Sequence, residues 1–433
     1  MDELFSSSAG AAFAAWGSSY NYLRIGEVFK MKAAFAHDFP FIVDEYGNYY
    51  SRGGFPYTVW KRYLNVFDTL TVLGRLSKES YTKKINTDSL TLSSGPNVKF
   101  VSIPNLSDPI TRIKKYKIAK KIITKELNDV DVLIARLPSE IGLLSIKVAK
   151  EMNKPYLIEV VGCAFDSLWN HGSFIGKLYA PISYKRVKKA VREGSNVIYV
   201  TQKYLQDKYP TKGNWIGISN VEIPSVDPAI LQKRLIKIDN LNRDSIIRIG
   251  LIASLESKYK GIDIAIRSMK YLKSENIKFE FHILGKGDSE VFTSLISKLK
   301  LNKNIYFDGV LKSGSEVHRW LDNIDIYIQP SLTEGLPRAL VEAMSRGCPA
   351  IATNVGGIPE LLGIEFLVAK KNEKQLAEKI IEFIQDKDKM KRAASENFFN
   401  ASNYYKSNLD QQRTLFLSDW INSITFGESG NNS

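Results

Sequence analysis

Two glutamates eight positions apart, Glu334 and Glu342, flank the start of a helix-like segment in the stretch QPSLTEGLPRALVEAMSRGCPAIATNVGGIPEL, residues 329–361. Pro337 opens that segment, where its fixed φ suits the first turn and its missing N–H loses no partner. Gly335, Leu336, Pro337 and Arg338 therefore lie at a helix N-terminus, which offers free N–H groups and a partial positive charge to a phosphate. From Pro337 to Glu342 the helix rises roughly 7–8 Å. Two acceptors at that separation, beside a phosphate cradle, suit two hydroxyl-bearing rings joined by a diphosphate, the layout of a nucleotide sugar. Taken singly, Glu334 also reads as a helix-end carboxylate favoured by the dipole, and Glu342 as a solvated side chain.

The apolar run 324–328 ahead of this stretch reads as a strand, and 350–353 as another. Gly347 and Pro349 stop the helix between them, and Gly356–Gly357 makes a turn. In an open parallel sheet, ligands sit at the C-terminal ends of strands, where the loop 330–335 falls. The same alternation runs along the chain. Further strands are predicted at 32–36, 70–73, 99–103, 132–137, 156–161, 197–201, 246–254, 279–284 and 305–307. Helices are predicted at 108–127, 139–152, 179–193, 373–385, 390–402 and 409–424. This is the pattern of α/β, doubly wound parallel sheets. At 433 residues two domains are expected. Pro224, Pro228 and a weak period place a linker at 226–245, between a first domain at 31–225 and a second at 246–405. A crossover helix and tail occupy 406–433. Residues 1–30, rich in Ala, Ser and Gly, are expected to be an extra, poorly ordered segment without core contacts.

The net charge of +14 is unevenly spread: 31 Lys and Arg stand against 20 Asp and Glu up to residue 226, and 29 against 26 beyond it. A basic half goes with nucleic acid or with an anionic membrane surface. No zinc-finger or RNP-type pattern is present, so nucleic acid is not an expected partner. The helix beginning near Pro109 carries Lys114, Lys115, Lys117, Lys120, Lys121 and Lys125 beside an imperfect apolar stripe of Ile110, Ile113, Tyr116 or Ile118, Ile122 and Ile123. A second cluster is YKRVKKAVR, 184–192. Each is either a solvated face or a lipid-docking one. No window reaches the ~18 apolar residues that span a bilayer, and the start, MDELFSSSAG, has no basic n-region of a secretory signal. Cys163 and Cys348 have no metal-type spacing and suit free thiols in a reducing cytosol. Asp129-Val130-Asp131 spells Asp-x-Asp but precedes a strand in the other half.

The stretch 329–361 closely resembles the donor-binding signature of the retaining glycosyltransferases of family four. The resemblance implies a GT-B fold, two Rossmann-like domains facing each other across a cleft. The family's Glu-x7-Glu pattern falls on Glu334 and Glu342, implying that Glu334 contacts the transferred sugar and Glu342 the ribose. Lys260, just before Gly261, matches the lysine that neutralises the donor diphosphate. Ser254 stands where an arginine is usual, and Lys258 is a compensating cation. Val310, in the GVL of 309–311, falls where the family holds the base. Gly53–Gly54, read as a glycine loop feeding a helix N-terminus, matches the family's glycine loop beside the donor; alone it is also an ordinary turn. Where the family has a His-Gly pair, this chain has Val161-Gly162. Acceptor-side candidates are then His37 and Asp38, at the end of the first strand, with Asp166, Trp169 and His171. His37 also reads as a turn residue and Trp169 as packing. Chains of this kind begin near Met31, so 1–30 also reads as an upstream stretch.

The segments HDFPF, SRGGFPY, ARLPSEIG and WNHGS resemble bacterial capsular and O-antigen polysaccharide transferases. The function this implies is retaining, metal-independent transfer of a hexose-type sugar from a nucleotide-diphosphate sugar, with no cofactor and with a UDP or GDP donor favoured over ADP. The implied acceptor is a lipid-linked oligosaccharide on polyprenyl diphosphate, used at an anionic membrane surface, the inner face of the cytoplasmic membrane. Two rivals are a nucleotide-sugar epimerase of the same fold and a non-catalytic sugar-nucleotide-binding subunit of a polysaccharide assembly complex.

Overall fold

The computed structural model describes residues 31–81, 87, 90–170 and 174–427. The segment 1–30 and His171 lie outside them.

The first half forms strands β1 (Lys32–Val43), β2 (Tyr49–Ser51), β3 (Thr69–Leu76), β4 (Thr91–Leu92), β5 (Val98–Ser102), β6 (Val132–Leu137), β7 (Tyr156–Val160), β8 (Asn196–Tyr199) and β9 (Asn214–Gly217). Seven are parallel, in the order β5-β3-β1-β6-β7-β8-β9. The short β2 and β4 pair antiparallel beyond the end of β1. The second half forms β10 (Ile247–Ile252), β11 (Phe279–Leu284), β12 (Ile305–Gly309), β13 (Ile326–Gln329), β14 (Ala350–Thr353) and β15 (Leu367–Val368). All are parallel, in the order β12-β11-β10-β13-β14-β15. Each sheet reverses its growth once, between β1 and β6 and between β10 and β13. Such a switch point opens a crevice at the C-terminal edge.

Burial explains why these runs are strands. Ile326–Gln329 and Ala350–Thr353 are buried at every position, as central parallel strands with both faces covered require. The first sheet carries one core around Leu133 and Ile158 and another around Phe35, Trp60 and Tyr63. Leu409, Leu417, Trp420 and Ile421 of the helix Lys406–Gly427 complete the second of these, so the C-terminal helix returns to the first domain.

The segment expected as a linker, 226–245, contains the helix Ala229–Asp239, packed on the second domain. Arg234 is buried in it and donates to the carbonyls of Leu321 (2.9 Å) and Arg346 (3.2 Å). An arginine on the buried stripe breaks the apolar period, which is why the helix is hidden in the sequence. The chain crosses between domains at two adjacent segments: Ile223 N–H donates to Tyr404 O (3.0 Å), and Lys406 N–H to Ile223 O (2.9 Å). The helix expected at 179–193 begins earlier, at Phe174, and holds Pro181 within it.

Candidate active site

The β10/β13 switch point brings two loops together. After β10 the chain makes a tight turn at Lys258–Lys260 and leaves it through Gly261, at φ 70°. A Cβ on Gly261 would stand 2.1 Å from Pro330 O, so only glycine allows this approach. Leu332 N–H donates to Tyr259 O at 2.7 Å and stitches the turn to the loop after β13. Lys260 Nζ thereby lies 2.7 Å from Glu334 Oε1.

Glu334 is held by a buried polar chain. Tyr327 Oη donates to Gln329 Oε1 (2.8 Å), Gln329 Nε2 to Ser331 Oγ (2.8 Å), and Ser331 Oγ to Glu334 Oε1 (2.7 Å). Thr353 of β14 donates to Ser331 O. The backbone is fixed equally closely: Gly357 N–H donates to Gly335 O (2.8 Å), and a Cβ on Gly356 would stand 1.9 Å from Glu334 O. The helix beside it runs Arg338–Ser345, with Pro337 as its extended cap rather than its first residue. Glu342 is mostly buried, and burial holds its carboxyl above the usual range against the opposing charge of Arg338. Burial, with the charges of Glu334 and Glu342 adding, holds the Tyr327 hydroxyl in its protonated form.

The remaining second-domain candidates divide. Ser254 and Leu255 lie against the turn after β11, where Leu255 N–H meets Lys286 O (2.8 Å). Val310 is exposed beyond Gly309, at the end of β12. Lys258 lines a hollow of about 760 Å³ with Ile262, Arg267, Phe292, Leu332 and Lys371.

The first domain presents its own C-terminal edge. A Cβ on Gly335 would lie 3.4 Å from Val161 O, just past the end of β7, so the two domains meet beside the donor loop. His37 Nδ1 sits 3.3 Å from Arg136 O. Burial, with the Arg136 charge adding, lowers its pKa to about 3, so the ring is neutral at pH 7. Asp38, an expected acceptor contact, caps the helix Glu140–Glu151: its carboxylate accepts the N–H of Glu140 (2.5 Å) and of Ile141 (3.3 Å). Helix-end N–H groups need such acceptors, and an aspartate at the end of β1 is within reach. Asp166 accepts from the Tyr204 hydroxyl. Trp169 is half exposed and stacks on Phe165, ring centroids 5.2 Å apart. Gly53, at φ 79°, stands in open space, and Gly54 rests on the Phe39 ring of its own domain.

Other site residues emerge only in three dimensions. Gln329, Ser331 and Tyr327 position Glu334; polar residues within the strand run IYIQPS are the one trace they leave in the sequence. Arg136 lies over the Phe55 ring and 3.5 Å from the buried Glu159, which also accepts from Tyr63 Oη (2.7 Å). Glu360, on the turn after Gly357, binds the first domain: its carboxylate accepts the N–H of Gln202 (2.5 Å), Lys203 (3.1 Å) and Tyr204 (2.7 Å). Among the described residues, no three His, Cys, Asp or Glu side chains converge as a metal-ligand set.

Two Rossmann-like domains meeting at a switch-point carboxylate and lysine define a glycosyltransferase of GT-B fold. The chain belongs to the group 1 glycosyltransferases: the family model described as "Glycosyl transferases group 1" matches residues 236–398, and the chain is 36% identical over 389 residues to protein CapJ of Staphylococcus aureus, covering 89% of this chain and 95% of that one. It is 38% identical over 123 residues to the amylovoran biosynthesis glycosyltransferase AmsK of Erwinia amylovora, 27% of this chain and 30% of AmsK. In fold it is similar to Anabaena HepE, solved with UDP and glucose, at a TM-score of 0.61 and 17% identity, over 90% of this chain and 99% of HepE.

Proposed function

We propose that the protein transfers a hexose-type sugar from a nucleotide-diphosphate sugar, with retention and without a metal ion or other cofactor, to a growing surface polysaccharide carried on polyprenyl diphosphate. The observation that carries the reading is the Lys260–Glu334 pair at the β10/β13 switch point, beside the N-terminus of the helix Arg338–Ser345. Lys260 and the amides of Gly335, Leu336 and Arg338 supply preorganised positive charge for the departing nucleoside diphosphate. Glu334, locked by Ser331 and Gln329, orients the sugar. Glu342 takes the ribose hydroxyls, and the base lies by Val310. The acceptor hydroxyl oxygen bonds to C1 as the C1–O phosphate bond breaks, and its proton passes to the leaving phosphate. AmsK's part in amylovoran biosynthesis supports a polysaccharide product, and UDP in HepE supports a uridine donor over a guanosine one. No described helix is long and apolar enough to cross a membrane; a peripheral place on the inner face of the cytoplasmic membrane fits a basic first half and a lipid-borne acceptor.

A screen of UDP-, GDP- and ADP-sugars in EDTA tests this, reading thermal shift and slow donor hydrolysis, then product anomer by NMR. One stabilising, cleaved donor with a retained anomer is the expected result. Epimerised donor without nucleotide release, inversion, or dependence on added metal would overturn the reading.

A further inference from the structure

The helix Pro109–Asn128 buries Ala119, Ile123 and Leu127 but leaves Ile113 81% exposed, and Ile118 is exposed too. Beside it, Phe174, Ile175, Leu178 and Ile182 of the helix Phe174–Arg192 are exposed at i, i+1, i+4 and i+8, on one face, with Phe174 75% exposed. Ile113 and Ile182 meet across one groove, and with Phe174, Ile175 and Leu178 they put five large apolar side chains in solvent on adjoining helices, a patch rather than the scattered exposure of an ordinary surface. Between the helices lies an open groove of about 490 Å³, lined by Arg112, Ile113, Lys117, Tyr179, Ile182 and Arg186. Arg112 (3.0 Å) and Arg186 (2.7 Å) share a single carboxylate, Glu140, so the groove stays cationic.

Charge selects the occupant. Lys114, Lys115, Lys117 and Lys121 are exposed on the first helix, and Lys177, Lys185 and Lys189 on the second. The first has one acidic residue, Glu126, which is buried and paired with Lys99 at 2.6 Å; the second has none. Apolar side chains rimmed by lysine match the boundary between lipid headgroups and acyl chains.

We propose that these two helices form a lipid-docking face: Ile113, Phe174, Ile175, Leu178 and Ile182 enter the interfacial layer of an anionic bilayer, and the Arg112–Arg186 groove takes a lipid phosphate. The helix Pro109–Asn128 follows β5 and so begins on the C-terminal edge of the first sheet, the edge on which the cleft opens. Docking there brings a membrane-borne acceptor to the site, a purpose that rests on the transferase reading; the docking itself does not.

The test is flotation of the full chain with vesicles of phosphatidylcholine alone and with one third phosphatidylglycerol. Expected is binding at least tenfold stronger to the anionic vesicles, weakened at least tenfold by Ile175→Ser/Leu178→Ser. Lys114→Gln/Lys115→Gln/Lys117→Gln should flatten its salt dependence. Both variants should keep the parent's circular dichroism and donor hydrolysis, since these residues lie outside the donor site. Equal binding to both vesicles, or variants that bind like the parent, would overturn the proposal. So would a dimer in solution that the serine pair dissolves while vesicles are ignored, since a second copy would then cover the face. Vesicle binding as expected without donor cleavage would instead overturn the transferase reading alone.

Discussion

Glu360 of the second domain accepts the backbone N–H of Tyr204 of the first at 2.7 Å, and the same carboxylate takes the N–H of Gln202 and Lys203. Tyr204 in turn donates its hydroxyl to Asp166, on the first-domain helix Ala164–Asn170. On the other side, the turn carrying Glu360 begins at Gly357, whose N–H holds Gly335. A continuous set of contacts therefore joins that helix to the loop that carries Glu334.

Glu360→Gln keeps one acceptor and removes the charge. Hydrogen bonds to a charged group contribute about 1.5–3 kcal/mol, so kcat for transfer should fall roughly tenfold or more. Nucleotide affinity, which the proposed donor site draws from the second domain, should be unchanged by calorimetry. Equal losses in both, or in neither, would show that the contact does not position the donor loop.

Lys260→Ala removes the cation proposed for the phosphates and leaves Glu334 without its ion-pair partner. By the scale of a lost oxyanion-type donor, kcat should drop roughly 10²–10³-fold. Ser331→Ala frees Glu334 from one of its three donors and should cost less, about tenfold, chiefly in kcat. Unchanged turnover in Lys260→Ala would refute the site assignment.

Gly261→Ala places a methyl 2.1 Å from Pro330 O at a positive φ. The two loops must part, at a cost of about 1–3 kcal/mol. Chemical denaturation should show that loss, together with weaker nucleotide binding. Gly53→Ala also sits at positive φ but in open space, so it should lose stability alone and leave nucleotide binding intact.

His37 gives stability a pH dependence of known sign. Its folded pKa lies near 3, below its unfolded value of 6.5, so it is neutral in both states above pH 7. As pH falls through 6.5 the unfolded chain gains the proton first and stability drops, by about 2 kcal/mol at pH 5. His282 runs the other way: its hydrogen bond to Asp308 raises its pKa, so its contribution is full below the unfolded value and is lost as pH rises through the folded one. Urea denaturation at pH 7 and pH 5 should show a smaller drop for His37→Gln than for the parent. An identical drop in the two proteins would mean that His37 ionises freely in the fold.

Much of this was legible in the chain because it is local. The apolar runs at 324–328 and 350–353, the glycines at 335, 347, 356 and 357 and the proline at 337 are determined by backbone sterics and burial, and they announced a strand, loop, helix and strand around Glu334. The doubly wound architecture followed from repetition of that unit. What only the tertiary structure decided depends on groups distant in sequence. Lys260 and Glu334 are separated by 74 positions and meet because β10 and β13 are neighbours in the sheet. Asp38 and the helix at Glu140 are 102 apart, and whether that carboxylate faces a ligand or caps a helix depends on which N–H groups the fold brings within reach. The buried Arg234, the outward-facing Ile113 and the Glu360 contact share that cause. Side-chain type fixes what a residue can bind, but the packing of non-adjacent strands fixes what it meets.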